Sequence, residues 1–287
     1  MFLRLTRPLH LLLAALTYAF GVSLADYLGR PFLAISFWLG LFAVLLAQST
    51  MNLLAEVFRL DTEPLQEDET RTKRRILRNN VLYTSLACIV VVALTAYILF
   101  VSNLLPFPAF SFLLFSIALI LAYSIPPLRF VNRGMGEFLL AIHLAYVIPS
   151  FAFTLQASGT HRFLALAIPL TFLAFAYFIA LDFKSFAQDQ KFNRITFLIR
   201  LGWERVVPLH HIFIILAYLL FFALPAFGLS LSLIWPVFLT FPFALFQIYQ
   251  LRNIALGAKP NWTLLHATSL AVFVLTAYFL AITFWTR

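Results

Sequence analysis

Charge is scarce in this chain. Asp, Glu, Lys and Arg make up 11% of its 287 residues, where a soluble domain carries roughly 25%. Hydrophobic residues reach 63%, so water is excluded as the main solvent of the folded surface and bilayer hydrocarbon is implied. Alternating polar and apolar residues are also missing. Runs such as Ala87–Leu94 are apolar throughout, which excludes the two-residue period of a closed transmembrane barrel and leaves helices as the way to satisfy the backbone in lipid. There is a single cysteine, Cys88. It excludes an intrachain disulfide and a thiolate metal cluster, and reads as a small apolar filler.

Long apolar runs are abundant. A helical span needs about 20 mostly apolar residues, and nine stretches qualify: 9–27, 32–57, 77–102, 107–125, 136–157, 162–181, 206–226, 229–250 and 264–285. The expected fold class is therefore all-α, a polytopic membrane bundle of about nine transmembrane helices forming a single domain over residues 1–287. Arg4 and Arg7 precede an apolar run ending near Ser23-Leu24-Ala25, a pattern shared with secretory leaders, but the run is long for a leader and further spans follow. Trp203, Trp262 and Trp285 sit near span ends as interfacial anchors.

Nine crossings place the termini on opposite sides. All of the 20 Lys and Arg residues except Arg30, Arg162 and Arg287 fall on the side of the N-terminus. The positive-inside rule then makes that side cytoplasmic and the C-terminus external, with the inner (plasma) membrane as the expected location. The net charge of +9 follows from this topology and the anionic inner leaflet, so nucleic acid is not an expected partner, whereas membrane lipids are.

The acids are one-sided as well. Every one of the 11 except Asp26 falls on the same side as the basic excess, although the charge rule says little about Asp and Glu. One cluster runs from the second span into the loop after it: Asn52, Glu56, Asp61, Glu63, Glu67, Asp68 and Glu69. The other follows the sixth span: Asp182, Ser185 and Asp189. At 100° per residue, Asn52, Glu56, Arg59 and Glu63 fall within about 60° of one another, and Asp182, Ser185 and Asp189 share a face. Four spans separate the clusters, so they can face each other. Two stripes of hard oxygen ligands suit Mg2+, which takes a few carboxylates, keeps water and bridges to phosphates. Glu67, Asp68, Glu69 and the run from Arg71 to Arg78 read as a solvated loop. Glu56, at the membrane end of its span, is where a charge is costly and usually functional.

Three stretches resemble the UbiA superfamily of membrane prenyltransferases. Asp182-Phe-Lys-Ser-Phe-Ala-Gln-Asp189, followed by Thr196 and by Arg200-Leu201-Gly202, is similar to the family's second aspartate-rich motif and its sequel. Tyr123-Ser-Ile-Pro-Pro-Leu-Arg129 with Gly134-Met-Gly136-Glu137 resembles a segment after the fourth span, and Arg7-Pro8 opens the first helix as in many members. The first motif, NDxxDxxxD, is degenerate. From Asn52, only Asn52 and Glu56 fit. In the other register Glu56 and Glu63 fit, but Arg59 replaces the central acid, and Ser185 replaces the middle acid of the second motif.

The resemblance implies transfer of a prenyl group from an allylic prenyl diphosphate to a lipid, quinone-precursor or other hydrophobic acceptor, with Mg2+ as cofactor. It assigns Asn52, Glu56, Glu63, Asp182 and Asp189 to the metal. Arg129, Lys184, Lys191 and Arg59 are assigned to the diphosphate, and Asp182, Asp189, Glu56 and Tyr123 to catalysis. The weakened first motif keeps a second expectation open, a UbiA-like protein without catalysis that binds or moves prenylated lipids. An ion-coupled transporter is the weaker third, since transporters place ionisable groups near the bilayer midplane. His143, within the fifth span, reads as a histidine hydrogen-bonded inside the bundle, and Pro225, Pro236 and Pro242 as helix kinks.

Overall fold

A computed structural model describes residues 5–60, 63 and 70–287; Asp61, Glu67, Asp68 and Glu69 lie outside them. Among the described residues the chain is helical without strands, and nine helices are long and apolar enough to cross a membrane. They are α1 (Pro8–Tyr27), α2 (Ala34–Val57), α3 (Arg71–Val101), α4 (Phe107–Ser124), α5 (Gly136–Ala157), α6 (Arg162–Lys191), α7 (Trp203–Phe227), α8 (Leu231–Ala255) and α9 (Trp262–Trp285).

Two helices outrun the apolar stretches that mark them. The stretch expected at 162–181 continues as α6 to Lys191, and the one expected from 77 begins as α3 at Arg71. Charged residues form helix readily, so leaving the hydrocarbon does not end a helix; capping does. α3 starts where the Thr70 hydroxyl accepts the Lys73 N–H at 3.3 Å. α6 stops just before Asn193, which takes a left-handed backbone. The extension carries Asp182, Ser185 and Asp189 on regular helix.

Prolines interrupt the helices where expected. Pro225 lies in a 3-10 turn at Leu224–Phe227 closed by the left-handed Gly228, Pro236 lies in a second at Trp235–Thr240, and Pro242 follows at the start of the regular helix Phe241–Ala255. In α5 a π-helical turn, His143–Val147, precedes Pro149, whose ring cannot donate to the carbonyl one turn back.

The packing is organised around α1, which contacts α2, α5 and α9; α6 packs on α7 and α9, and α3 on α2. α5 is 83% buried and α3 only 22%, so α5 belongs to the protein interior and α3 faces lipid. The α1–α5 approach is close enough that a Cβ on Gly21 would overlap the Pro149 carbonyl. Trp203 packs edge-on against Phe183 at 4.6 Å, fixing α7 to α6.

A buried polar chain crosses this core. The Ser116 hydroxyl meets His143 Nε2 at 2.8 Å, and His143 Nδ1 meets Gln48 Oε1 at 3.0 Å. Gln48 Nε2 donates to Asn52 Oδ1 at 3.2 Å, and Asn52 Nδ2 donates to the Thr6 carbonyl at 2.7 Å. Gln48 is thus fully used and His143 is held on both nitrogens, as expected of a bundle histidine. Three helices and the segment before α1 are linked by groups that would each be expensive to leave unpaired, and the chain terminates on the backbone beside Arg7.

Candidate active site

The two acid-bearing helix ends converge on one cleft at one end of the bundle. One lobe, about 20 Å³, is bounded by Glu56, Glu63, Arg59 and Arg129. The other, about 180 Å³, is bounded by Tyr123, Glu137, Asp182 and Ser185, with Phe178, Leu140 and Leu181 as an apolar wall. Arg7, Val131 and Arg194 line both, so the lobes are neighbouring parts of one space.

At the α2 end the carboxylates are paired with guanidinium groups. Glu56 is 4% exposed. Its Oε1 lies 3.0 Å from Arg7 Nη2. Its Oε2 lies 2.6 Å from Arg59 Nη2, an ion pair by distance rather than an aligned hydrogen bond. Arg59 also reaches Glu63 at 3.4 Å, bridging the two acids. Asn52 faces inward from the same helix. Its Oδ1 also meets His10 Nδ1 at 3.1 Å, so its amide is occupied by protein groups.

At the α6 end the acids are less closely paired among the described residues. Ser185 Oγ donates to Asp189 Oδ2 at 2.7 Å, and Asp189 Oδ1 lies 3.7 Å from Arg194. The Asp182 and Glu137 carboxyl groups stand within hydrogen-bonding range of each other, and ionised carboxylates bring no donor. Asp182 Oδ2 is buried with no hydrogen-bond partner among the described residues. Glu137 Oε2 accepts the Phe197 N–H at 3.3 Å and opens α5, where the helix dipole favours an acid.

Of the four arginines that line the cleft, three are each placed by a left-handed residue. Arg7 itself has φ 50°, Arg129 φ 37°, and Arg194 follows Asn193 at φ 54°. Such backbone costs roughly 1–3 kcal/mol at a non-glycine residue and concentrates at functional positions. Hydrogen bonds hold each turn: His10 N–H to the Arg7 carbonyl at 2.8 Å, Arg129 N–H to the Ile125 carbonyl at 2.9 Å, and Arg194 N–H to the Asp189 carbonyl at 2.9 Å. Burial disfavours the Arg7 cation, but Tyr123 and Glu56 beside it more than offset this, and it is held above its ordinary value. Arg194 is likewise disfavoured by burial and by Arg7, yet raised overall by Asp189, Tyr123 and Glu63. Burial lowers Arg129. All three remain cations at neutral pH, because guanidinium starts far above it.

The loops after α4 and α6 are joined over the cleft. Gly134 N–H donates to the Ile195 carbonyl at 2.8 Å, Ile195 N–H to Asn132 Oδ1 at 2.9 Å, and Arg200 to the Arg133 carbonyl at 2.9 Å. Gly134 sits at φ 67° against the Arg200 side chain, where a Cβ would come within 2.7 Å of Arg200 Cδ. Thr196 caps the short helix Phe197–Leu201. Thr196, Arg200 and Gly134 thus build the frame of the site.

Of the residues expected at the site, Glu56, Glu63, Arg59, Arg129, Tyr123 and Asp182 line the cleft. Asp189 stands behind Ser185. Lys184 and Lys191 are exposed, with Lys191 over the Phe192 ring; neither lines a lobe. Arg7, Glu137 and Arg194 were not expected as site residues, yet they sit inside the motif segments themselves. Among the described residues no three Asp, Glu, His or Cys side chains already stand grouped as a metal site. The α6 end, with two facing carboxylates and an unpartnered oxygen, fits a cation that takes its remaining ligands from water and substrate.

The fold and cleft define a polytopic membrane protein with an anion-and-cation site at one end of its bundle. A family model for the UbiA prenyltransferase family matches residues 14–265, and the chain belongs to that family. Among solved structures it is similar to a digeranylgeranylglyceryl phosphate synthase at 13% identity and a TM-score of 0.69, covering 100% of this chain and 98% of that one. It is also similar to a UbiA homolog from Archaeoglobus fulgidus at 15% identity and a TM-score of 0.68, covering 100% and 99%. The form of that homolog bound to GPP and Mg2+ aligns at 14% identity and a TM-score of 0.63, again over 100% and 99%. No curated protein matches the chain.

Proposed function

We propose that this protein transfers a prenyl group from an allylic prenyl diphosphate to a hydrophobic acceptor within the membrane, with Mg2+. The observation that carries the reading is the convergence of Glu56 and Asp182, from helices four crossings apart, on one cleft whose shared wall is Arg7 and Arg194. A relative in the same family is described with GPP and Mg2+ bound, which supports both ligands.

A bound Mg2+ would supply Lewis-acid stabilisation of the diphosphate as its charge grows. Asp182 and Glu137, backed by Asp189 through Ser185, are the residues to hold it. Arg7, Arg129 and Arg194 bind the phosphate oxygens, for which the guanidinium fork is suited. The allylic carbon–oxygen bond breaks with its electron pair staying on the diphosphate. The acceptor forms the new bond to that carbon and releases a proton. Arg7 and Arg194 are ordered before substrate arrives, so little reorganisation accompanies the developing charge. Phe178, Leu140 and Leu181 keep water from the carbocation and offer an apolar wall to the isoprenoid, and an aromatic residue in that wall suits a cation. Tyr123, in contact with Arg7, orients that guanidinium.

The test is a reaction screen in membranes with a panel of prenyl diphosphates and acceptors, products being read by mass spectrometry. Mg2+-dependent prenylation that disappears in Asp182→Asn supports the reading. The second reading, a protein that binds or moves prenylated lipids, is favoured by Arg59 standing where the first motif carries an acid. Tight binding of prenyl diphosphates with no product from any acceptor would select it. By the distribution of Lys and Arg, the cleft opens on the cytoplasmic face of the inner membrane.

A further inference from the structure

We infer that in this chain the diphosphate is held by guanidinium groups on the α2 side, in place of a metal ion there, and by a single divalent cation on the α6 side. The inference rests on the prenyl-diphosphate reading above.

Two observations carry it. First, the carboxylates on the α2 side do not fit a cation. Glu56 has Arg7 at 3.0 Å and Arg59 at 2.6 Å, and Glu63 has Arg59 at 3.4 Å. A divalent ion would have to displace guanidinium groups from the carboxylates they pair with, and unpairing a buried charge such as Glu56 is strongly unfavourable. Second, the two ends differ in how their acids are paired. Among the described residues the α2 lobe gathers four arginines (Arg7, Arg59, Arg129 and Arg194) against Glu56 and Glu63, an excess of guanidinium that suits an anion directly. The α6 lobe shares Arg7 and Arg194 and adds Asp182 and Glu137. Asp182 Oδ2 is buried with no hydrogen-bond partner among the described residues, and that oxygen is the group a cation would take.

The substitution at Arg59 accounts for the asymmetry. Its guanidinium lies between two acids that would otherwise repel each other and turns them into arginine-orienting groups. Glu56 then holds Arg7 from one side while the Asn52 amide holds the Thr6 carbonyl before it at 2.7 Å. The same residues that bind a metal in an acid-rich motif here position a cationic side chain. Guanidinium supplies directional hydrogen bonds but no Lewis acidity, so the leaving group is stabilised by charge-assisted contacts on this side.

The experiment uses the full-length protein in lipid nanodiscs, with inorganic pyrophosphate as the probe and Mn2+ in place of Mg2+. Bound Mn2+ is counted by electron paramagnetic resonance at saturating pyrophosphate, and pyrophosphate binding is measured again in excess EDTA. One Mn2+ per chain is expected, together with pyrophosphate binding that persists in EDTA. Arg194→Gln should weaken the EDTA-resistant binding by at least about 30-fold, the loss typical of truncating one partner of a buried charge pair. Arg59→Asp should raise the count to two and make pyrophosphate binding metal-dependent. Two Mn2+ on the unaltered chain, or binding abolished by EDTA, overturns the inference and leaves the prenyltransferase reading standing. No pyrophosphate binding with or without metal overturns both. The count on the unaltered protein needs no variant to fold.

Discussion

The two ends of the cleft use carboxylates for opposite purposes. At the α2 end, Glu56 and Glu63 are neutralised by Arg7 and Arg59, so acid serves to aim base. At the α6 end, Asp182 and Glu137 face one another and leave an oxygen without a donor among the described residues, so acid is left over for something brought from outside. The lesson is that a motif's residue types do not fix its chemistry. A single exchange, arginine for a central acid, changes what the neighbouring carboxylates do.

The most damaging way to break this comparison is Asp182→Asn. It removes the carboxylate whose Oδ2 has no partner among the described residues, and transfer should fall by about 10²–10³, the scale of losing one group preorganised for transition-state charge. Loss of substrate-dependent Mn2+ binding should accompany it. Activity within a few-fold of the unaltered protein would mean that the α6 acids are not a metal site.

Glu56→Gln probes the opposite end and should act through its arginines. Arg7 would lose an anionic partner, the KM for prenyl diphosphate should rise, and the Mn2+ count should stay unchanged. An effect of about tenfold fits the roughly 1.5–3 kcal/mol of a hydrogen bond to a charged group, reduced because the Arg7 side chain is 27% exposed. If Glu56→Gln instead removed a metal ion, the contrast between the two ends would vanish.

Gln48→Leu sharpens the comparison without touching the cleft. It deprives both His143 and Asn52 of a partner and should cost about 1–3 kcal/mol, the penalty of unsatisfied buried polar groups. Thermal melting in detergent should read that loss. Because Asn52 secures the turn that carries Arg7, KM should rise more than kcat falls. Lys184→Ala and Lys191→Ala complete the series. Both side chains are exposed and outside the lobes, so transfer should change by no more than about twofold, the small effect typical of surface charges. A large loss in either would place that lysine on the substrate.

Much of the fold was legible because lipid leaves the backbone few options. Apolar runs of span length have to be helices, and all nine appear. What hydropathy missed was where α3 and α6 end, since helix continues into water until a cap or a left-handed residue stops it, as at Thr70 and Asn193. The site was half legible. Helical phase grouped Asn52 and Glu56 with Arg59 and Glu63, but α2 ends at Val57, so the last two reach the cleft from beyond the helix; Asp182, Ser185 and Asp189 do share one regular helix. It did not reveal that Asn52 is spent on the backbone of Thr6, nor that Glu137 and Arg194 turn inward, because both depend on how two loops are zipped together by Gly134, Asn132 and Arg200.

The amino-acid sequence by itself determined that this protein lives in a membrane, how often it crosses, and that acid and base gather at one end, because burying charge in hydrocarbon is too costly for any other arrangement. Only the tertiary structure decided which acid meets which base. Ion pairing is settled by distances of 3–4 Å between residues far apart in the chain, and helical phase can bring such groups to a common face but cannot say which of them touch.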